Sequence, residues 1–146
     1  MTVALSGKDL ATKIGKAIPQ TVIGIADNSI TVKSQGLSQV AKLLKETPDL
    51  DFDLLVNISG VDYLDYFEVV YHLVSLKHNH SMVLKTVCLD RDNPVVPSVV
   101  SLWRGADFLE REEYDLMGIR FEGHPNLRRI YLWDGFKGHP LRRDYL

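Results

Sequence analysis

Apolar residues recur along the chain in two periods, and the places where the period changes divide it into elements. Leu10, Ile14, Ala17 and Ile18 stand at helical spacing behind Ser6, a good N-cap, and Pro19 stops the run, so the spacing predicts a short amphipathic helix. Residues 22–26 and 30–33 flank the turn cluster Asp27-Asn28-Ser29 and read as a small hairpin. Leu37, Val40, Ala41 and Leu44 fall at i, i+3, i+4 and i+7, a second helix ending before Thr47-Pro48, and the acidic residues 48–53 read as a loop. Three β runs follow, 54–61, 67–76 and 82–89, and connections as short as theirs force antiparallel neighbours. In the second run Phe67, Val69, Tyr71 and Leu73 share the better core face, opposite Glu68, Val70, His72 and Val74. Residues 91–97 read as a loop, and 99–103 as a short helical lead into the next element. The order predicts an α+β fold: helices packed on a largely antiparallel sheet, then an extended C-terminal loop segment.

The last third is different. Ala106, Leu109, Glu113, Leu116 and Met117 form one mainly apolar helical stripe, and Asp107, Arg111 and Asp115 form an ionic one, so a helix is expected over 105–117. Gly118 stands where a helix-terminating glycine belongs. Beyond it come Gly123-His124-Pro125 with Arg128-Arg129, and Gly138-His139-Pro140 with Arg142-Arg143, whose prolines and glycines forbid a continuous helix or central strand. Seven of the eight arginines lie here and eight of the nine lysines lie before. Arginine keeps its charge when desolvated and forks onto carboxylates, so the segregation points to buried or interfacial ion pairs. Along the helix, Glu112 or Arg111 can meet Asp115 at i+3 or i+4 in an ionic network. Eight acids balance the eight bases of this stretch, which leaves no uncompensated basic patch for nucleic acid.

The run Phe108-Leu109-Glu110-Arg111-Glu112-Glu113-Tyr114-Asp115-Leu116-Met117-Gly118-Ile119, with Gly123-His124-Pro125-Asn126-Leu127-Arg128-Arg129-Ile130 and Gly135-Phe136-Lys137-Gly138-His139-Pro140-Leu141-Arg142-Arg143-Asp144-Tyr145, resembles the thirty-kilodalton subunit family of NADH:quinone oxidoreductase, respiratory complex I. The same module occurs in related energy-converting membrane-bound hydrogenases and in dehydrogenases fed by reduced deazaflavin. The resemblance implies a non-catalytic peripheral-arm subunit that binds the forty-nine-kilodalton subunit beside the quinone site, during electron transfer coupled to ion translocation. On this reading iron-sulfur clusters, flavin and quinone belong to partner subunits, and membrane contact is indirect, on the cytoplasmic side. Glu110, Arg111, Glu112, Asp115, Gly118, His124 and Pro125 are its structural signature. Arg128, Arg129, Trp133, Phe136, His139, Arg142, Arg143 and Tyr145 are the expected partner interface. Two departures stand out: the chain stops at Leu146, where many relatives run on, and Lys137 stands where an acid is common.

Length and composition set the remaining bounds. A chain of 146 residues suits one domain, with 1–101 as α+β core and 102–146 as signature helix and docking loop. Cys88, the single cysteine, reads as a small core residue, and one thiolate cannot supply the roughly four ligands of an iron-sulfur cluster. The sequence shows neither a signal-peptide pattern nor the roughly eighteen continuous apolar residues of a membrane span, and a net charge of -2 gives no reason for direct attachment to anionic lipid. Three other chemistries are weaker. Glu110 and Glu112 lie about 200° apart on a helix and cannot share a proton, against a stand-alone acid/base enzyme. His124 and His139 are far apart and read as rigid His-Pro corners, and His78-X-His80 as a solvated turn, rather than as metal sites. Phe121, Tyr131, Trp133, Phe136 and Tyr145 could stack bases, yet the balancing acids favour a protein partner. Residues 118–146 hold more apolar surface than a solvated tail carries, so they are expected to dock on another chain that also supplies their order.

Overall fold

The computed structural model describes residues 2–145, so Leu146, the last position of the expected docking segment, lies outside the described residues. The elements in chain order are β1 (Val3–Ala4), α1 (Gly7–Ala17), β2 (Val22–Ile25), β3 (Ser29–Val32), a 3-10 turn (Ser34–Gly36), α2 (Leu37–Glu46), β4 (Leu54–Asp62), β5 (Phe67–Ser75), β6 (His80–Cys88), β7 (Val95–Pro97), α3 (Ala106–Met117) and β8 (Arg120–Glu122). The class is α+β, as the periodicity predicts.

Ser6 caps α1 by accepting from the Asp9 N–H, and the helix ends at Ile18, before Pro19 removes the next donor. Leu10 and Ile14 on α1, and Leu37, Val40, Ala41 and Leu44 on α2, are fully buried. They meet Phe67, Val69, Tyr71 and Leu73 of β5 and Met82 and Leu84 of β6, all on one face of the sheet and all in one core cluster.

The strand order is β2-β3-β6-β5-β4, with β1 also pairing β6. The β2–β3, β4–β5 and β5–β6 pairs are antiparallel, whereas β1 and β3 run parallel to β6. The parallel β3–β6 pairing is possible because α2 and two strands intervene, enough chain for the crossover.

Three local expectations are corrected. Residues 91–97 are not all loop: Val95–Pro97 forms β7 and pairs in parallel with β8, with Val96 opposite Phe121, and both of these side chains are buried. Residues 99–103 form a turn instead of a helical lead. The Val99 carbonyl accepts from Leu102 and Trp103 at 3.0 Å each, and the Trp103 indole N–H donates to the Phe52 carbonyl at 3.0 Å, which fixes the chain before a helix can start. His80 is no solvated turn residue: it is buried on the core phase of β6, its ring 4.8 Å from that of Phe52, and its Nε2–H donates to the Leu50 carbonyl at 2.7 Å.

Candidate functional site

The C-terminal end of α3 is the anchor of everything after it. Gly118 takes the left-handed conformation there, with φ of 77°, and donates to the Tyr114 carbonyl. A side chain at this position would be strained, and its Cβ would fall 2.6 Å from both Arg142 Nη2 and His139 Cδ2. Asp115, one turn before, is buried and aimed at the loop. Its Oδ2 accepts from the N–H groups of Ile130, Tyr131 and Leu132 at 3.2, 2.8 and 3.0 Å, and its Oδ1 from Arg129 Nη1 at 2.8 Å. Burial alone would raise the Asp115 pKa, but the donors from Leu132, Tyr131, Arg129 and Ile130 together hold it below the ordinary value.

Arg129 spends its whole fork inside the chain. Nη1 also donates to the Asp115 carbonyl at 3.1 Å, and Nη2 to the carbonyls of Phe136 and Gly138 at 3.0 and 2.9 Å. Arg111 donates to the carbonyls of Arg128 and Arg129, at 3.2 Å each. Arg142 Nε donates to the Met117 carbonyl at 2.6 Å, one of those a helix end leaves open. Arg129 and Arg142 are therefore engaged within the chain, contrary to the expectation that they fork onto a partner's carboxylates. Asp115 pairs with Arg129 rather than with Arg111 or Glu112 on its own helix, because its side chain faces the loop. The segment is braced by bonds within its own chain.

Both His-Pro units act as corners. His124 Nδ1 accepts from the Asn126 N–H at 2.9 Å, so Nε2 carries the proton and donates to the Asp107 carbonyl at 3.2 Å. Pro125 beside it is exposed. His139 Nδ1–H donates to the Asp115 carbonyl at 3.0 Å. Burial holds its imidazole below the ordinary value despite that carbonyl, and Arg142 and Arg129 add to the lowering.

Sequence reasoning missed a second hub. Asp62, at the end of β4, is buried and accepts from both Nη atoms of Arg91, from the Leu64 N–H at 2.8 Å and from the Arg143 N–H at 2.8 Å. The Arg91 fork, with the Arg143 and Leu64 donors, holds this carboxyl far below the usual range, against burial. Arg91 also reaches Asp144 at 3.2 Å, and the guanidinium groups of Arg91 and Arg142 lie 4.5 and 4.9 Å from the Phe67 ring centre. A lone arginine just after a β run, in a chain whose other arginines cluster at the end, is the signal that was available.

What the segment turns outward is aromatic. Tyr131, Trp133 and Leu141 are 66%, 68% and 59% exposed, and Tyr145 is also exposed. Trp133 stands edge-on to half-buried Phe136, 4.9 Å between ring centres. The Arg128 and Arg143 side chains are exposed and pair with no described residue. Internal arginines thus brace a strip whose face combines aromatic rings with exposed arginines, the composition of interface anchors.

Residues 30–146 match the family model described as "Respiratory-chain NADH dehydrogenase, 30 Kd subunit". The chain belongs to this family. It is 42% identical to an NADH-quinone oxidoreductase subunit from Roseiflexus sp. (strain RS-1), over 97% of this chain and 84% of that protein. It is 37% identical to the identically named protein from Coxiella burnetii (strain Dugway 5J108-111), over 91% and 73%. The fold also matches a chain in the structure of the membrane-bound sulfane sulfur reductase, an archaeal respiratory membrane complex, with a TM-score of 0.77 and 23% identity, over 95% of this chain and 85% of that one.

No helix among the described residues is long and apolar enough to cross a membrane, and no group of three or more His, Cys, Asp or Glu among them is placed to hold a metal ion. Burial pushes the Cys88 thiol up to about 11, out of range for a nucleophile at neutral pH. The remaining signature acids separate. Glu110 is fully buried, while Glu112 is half-buried and adjoins Glu113 in the chain.

Proposed function

We propose that this chain is a non-catalytic subunit in the peripheral arm of an NADH:quinone oxidoreductase-type complex, on the cytoplasmic side of the membrane. It docks on a partner of the forty-nine-kilodalton type and holds that partner in place beside the quinone site during electron transfer coupled to ion translocation. Clusters, flavin and quinone reside in the partner subunits, and this chain itself carries none. The observation that carries the reading is the strip of Tyr131, Trp133, Leu141 and Tyr145, with Arg128 and Arg143 exposed and pairing with no described residue, on a segment that its own arginines brace. A preformed aromatic-arginine surface binds without first spending free energy on its own ordering. The names of the curated relatives, subunits of NADH-quinone oxidoreductase, support the assignment of the complex.

The test is affinity purification of the tagged chain from native membranes, followed by identification of the co-purifying subunits and by metal analysis of the isolated chain. The wild type is expected to bring down a subunit of the forty-nine-kilodalton type, and Trp133→Ala combined with Arg128→Glu to lose it. Co-purification of hydrogenase subunits instead would assign a different electron donor. Stoichiometric iron in the isolated chain would overturn the cofactor assignment.

A further inference from the structure

β3 and β6 run parallel, and their carboxyl ends open into a cleft of about 790 Å³. Pro94, buried, and Val87 and Val95, half-buried, line its depth, while Ile23 and Leu89 at its rim are 49% and 77% exposed. Single exposed aliphatic side chains need no explanation, but two that share a cleft with three deeper apolar residues form one patch. Ile23 owes its place to a bulge. The β2–β3 register steps from Val22 opposite Val32 to Gly24 opposite Thr31, so Ile23 is the extra residue and has no partner on β3. The walls are fixed by the chain itself. Cys88 Sγ donates to the Val95 carbonyl at 3.9 Å, the Arg120 N–H to the Pro94 carbonyl at 2.9 Å, and the Lys33 N–H to the Thr21 carbonyl at 3.0 Å.

The polar side chains around the cleft have their bonding capacity unused. The Lys33 ammonium and the Gln35 and Asn93 amides all line it, and none makes a hydrogen bond or ion pair with a described residue. Asp90, the carboxylate of the cleft, already accepts the N–H groups of Asp92 and Asn93 through Oδ1, at 3.0 and 3.3 Å. Lys33 is therefore the charge left to be met, and an acidic group is its complement. A side-chain amide both donates and accepts, which suits the backbone of an extended peptide, whereas a helix has already spent its N–H and C=O groups on itself. A small ligand would leave Leu89 in water; a polypeptide covers the rim and the depth of the cleft together.

We propose that this cleft is a second docking site, taking an extended segment of a neighbouring subunit whose apolar side chains cover Ile23 and Leu89 and whose acidic residue meets Lys33. Backbone hydrogen bonds to Gln35 and Asn93 supply affinity, and the apolar depth and the lysine select the sequence. Because the walls are held by bonds within the chain, little ordering is spent on binding. None of Tyr131, Trp133, Leu141 and Tyr145 lines the cleft, so the inference adds a surface to the docking reading and does not depend on the aromatic strip.

The test places a photoreactive benzoylphenylalanine at position 89 of the tagged full chain, and separately at position 133, and irradiates each in native membranes. Both side chains are exposed, so the probe is carried without disturbing the core. The adduct from position 89 is expected to map by mass spectrometry to one stretch of a co-purifying subunit, with an acid among alternating apolar residues. Lys33→Glu should lower its yield by at least about tenfold and leave the adduct from position 133 unchanged. An adduct with lipid, with a helical stretch or with a second copy of this chain overturns the proposal, as does a yield indifferent to Lys33→Glu. So does the absence of any adduct at 89 from membranes in which the chain co-purifies with other subunits. An adduct at 89 without one at 133 sustains the cleft and removes the reading of the strip, and the reverse removes the cleft alone.

Discussion

The chain up to residue 101 and the segment from 118 onward are both ordered, but by different forces. In the first, Leu10, Ile14, Leu37, Leu44, Phe67 and Leu73 are all at most 1% exposed and interlock on one sheet face. In the second, Ile119 and Phe121 are the deeply buried apolar side chains, and the rest is fixed by Arg129, Arg111 and Arg142 donating to carboxylate and carbonyl oxygens. Charged hydrogen bonds are roughly twice as strong as neutral ones, so a few of them can fix a segment that buries little. The difference teaches how a chain keeps aromatic side chains on its surface without losing its shape: internal arginines replace the apolar burial that would otherwise have drawn those rings inward.

The largest expected effect breaks the polar half. Asp115→Ala removes the carboxylate to which Arg129 Nη1 and three N–H groups donate, leaving the buried guanidinium without its counter-charge, and should cost about 3–5 kcal/mol in denaturant unfolding, with residues 128–142 losing exchange protection first. A loss below about 1 kcal/mol would mean that the segment is held by something other than this hub. Gly118→Ala should follow at about 1–2 kcal/mol for the left-handed backbone alone, with more from crowding Arg142 and His139, read as a lowered melting midpoint.

Acid separates the two regions by titration. The folded pKa values of Asp62 and Asp115 are depressed, so what these groups contribute is fully present above about pH 4 and is lost as the pH falls toward their folded values. Near-UV signals of Trp133 and Tyr131 should change at a higher pH than the far-UV signal of the sheet, and coincident transitions would count against two separable regions. The smallest effect is Trp133→Ala, which removes an exposed ring and one edge contact and should shift stability by less than about 1 kcal/mol.

The N-terminal half is legible in the sequence because its chemistry is periodic. Ser6, Pro19 and the spacing of Leu10 and Ile14 bound α1 correctly, and alternation from Phe67 to Leu73 identifies the core face. The same alternation counted back from Met82 reaches His80, so its burial is readable once the period is trusted over the residue type. The span of α3 is legible to within a residue or so, yet its faces are not, because two of its buried positions are Glu110 and Asp115 and hydropathy scores both as surface. The β7–β8 pair escapes because three-residue strands in parallel, separated by a helix, leave no local pattern. The arginine assignment is half right: their clustering signals buried ion pairs, but sequence spacing cannot say whether the carboxylate is 14 residues away or on another chain.

The Asp62 hub sets a condition on how the molecule is made. This carboxylate receives its Arg143 donor from 81 residues downstream. During synthesis the β4–β6 meander can already pair, with Arg91 attending Asp62, but the last donor emerges only after all of α3 and both His-Pro corners. Because this donor is the last to be synthesised, the sheet can assemble before the hub is complete, and the aromatic strip proposed to meet a partner takes its final form after it.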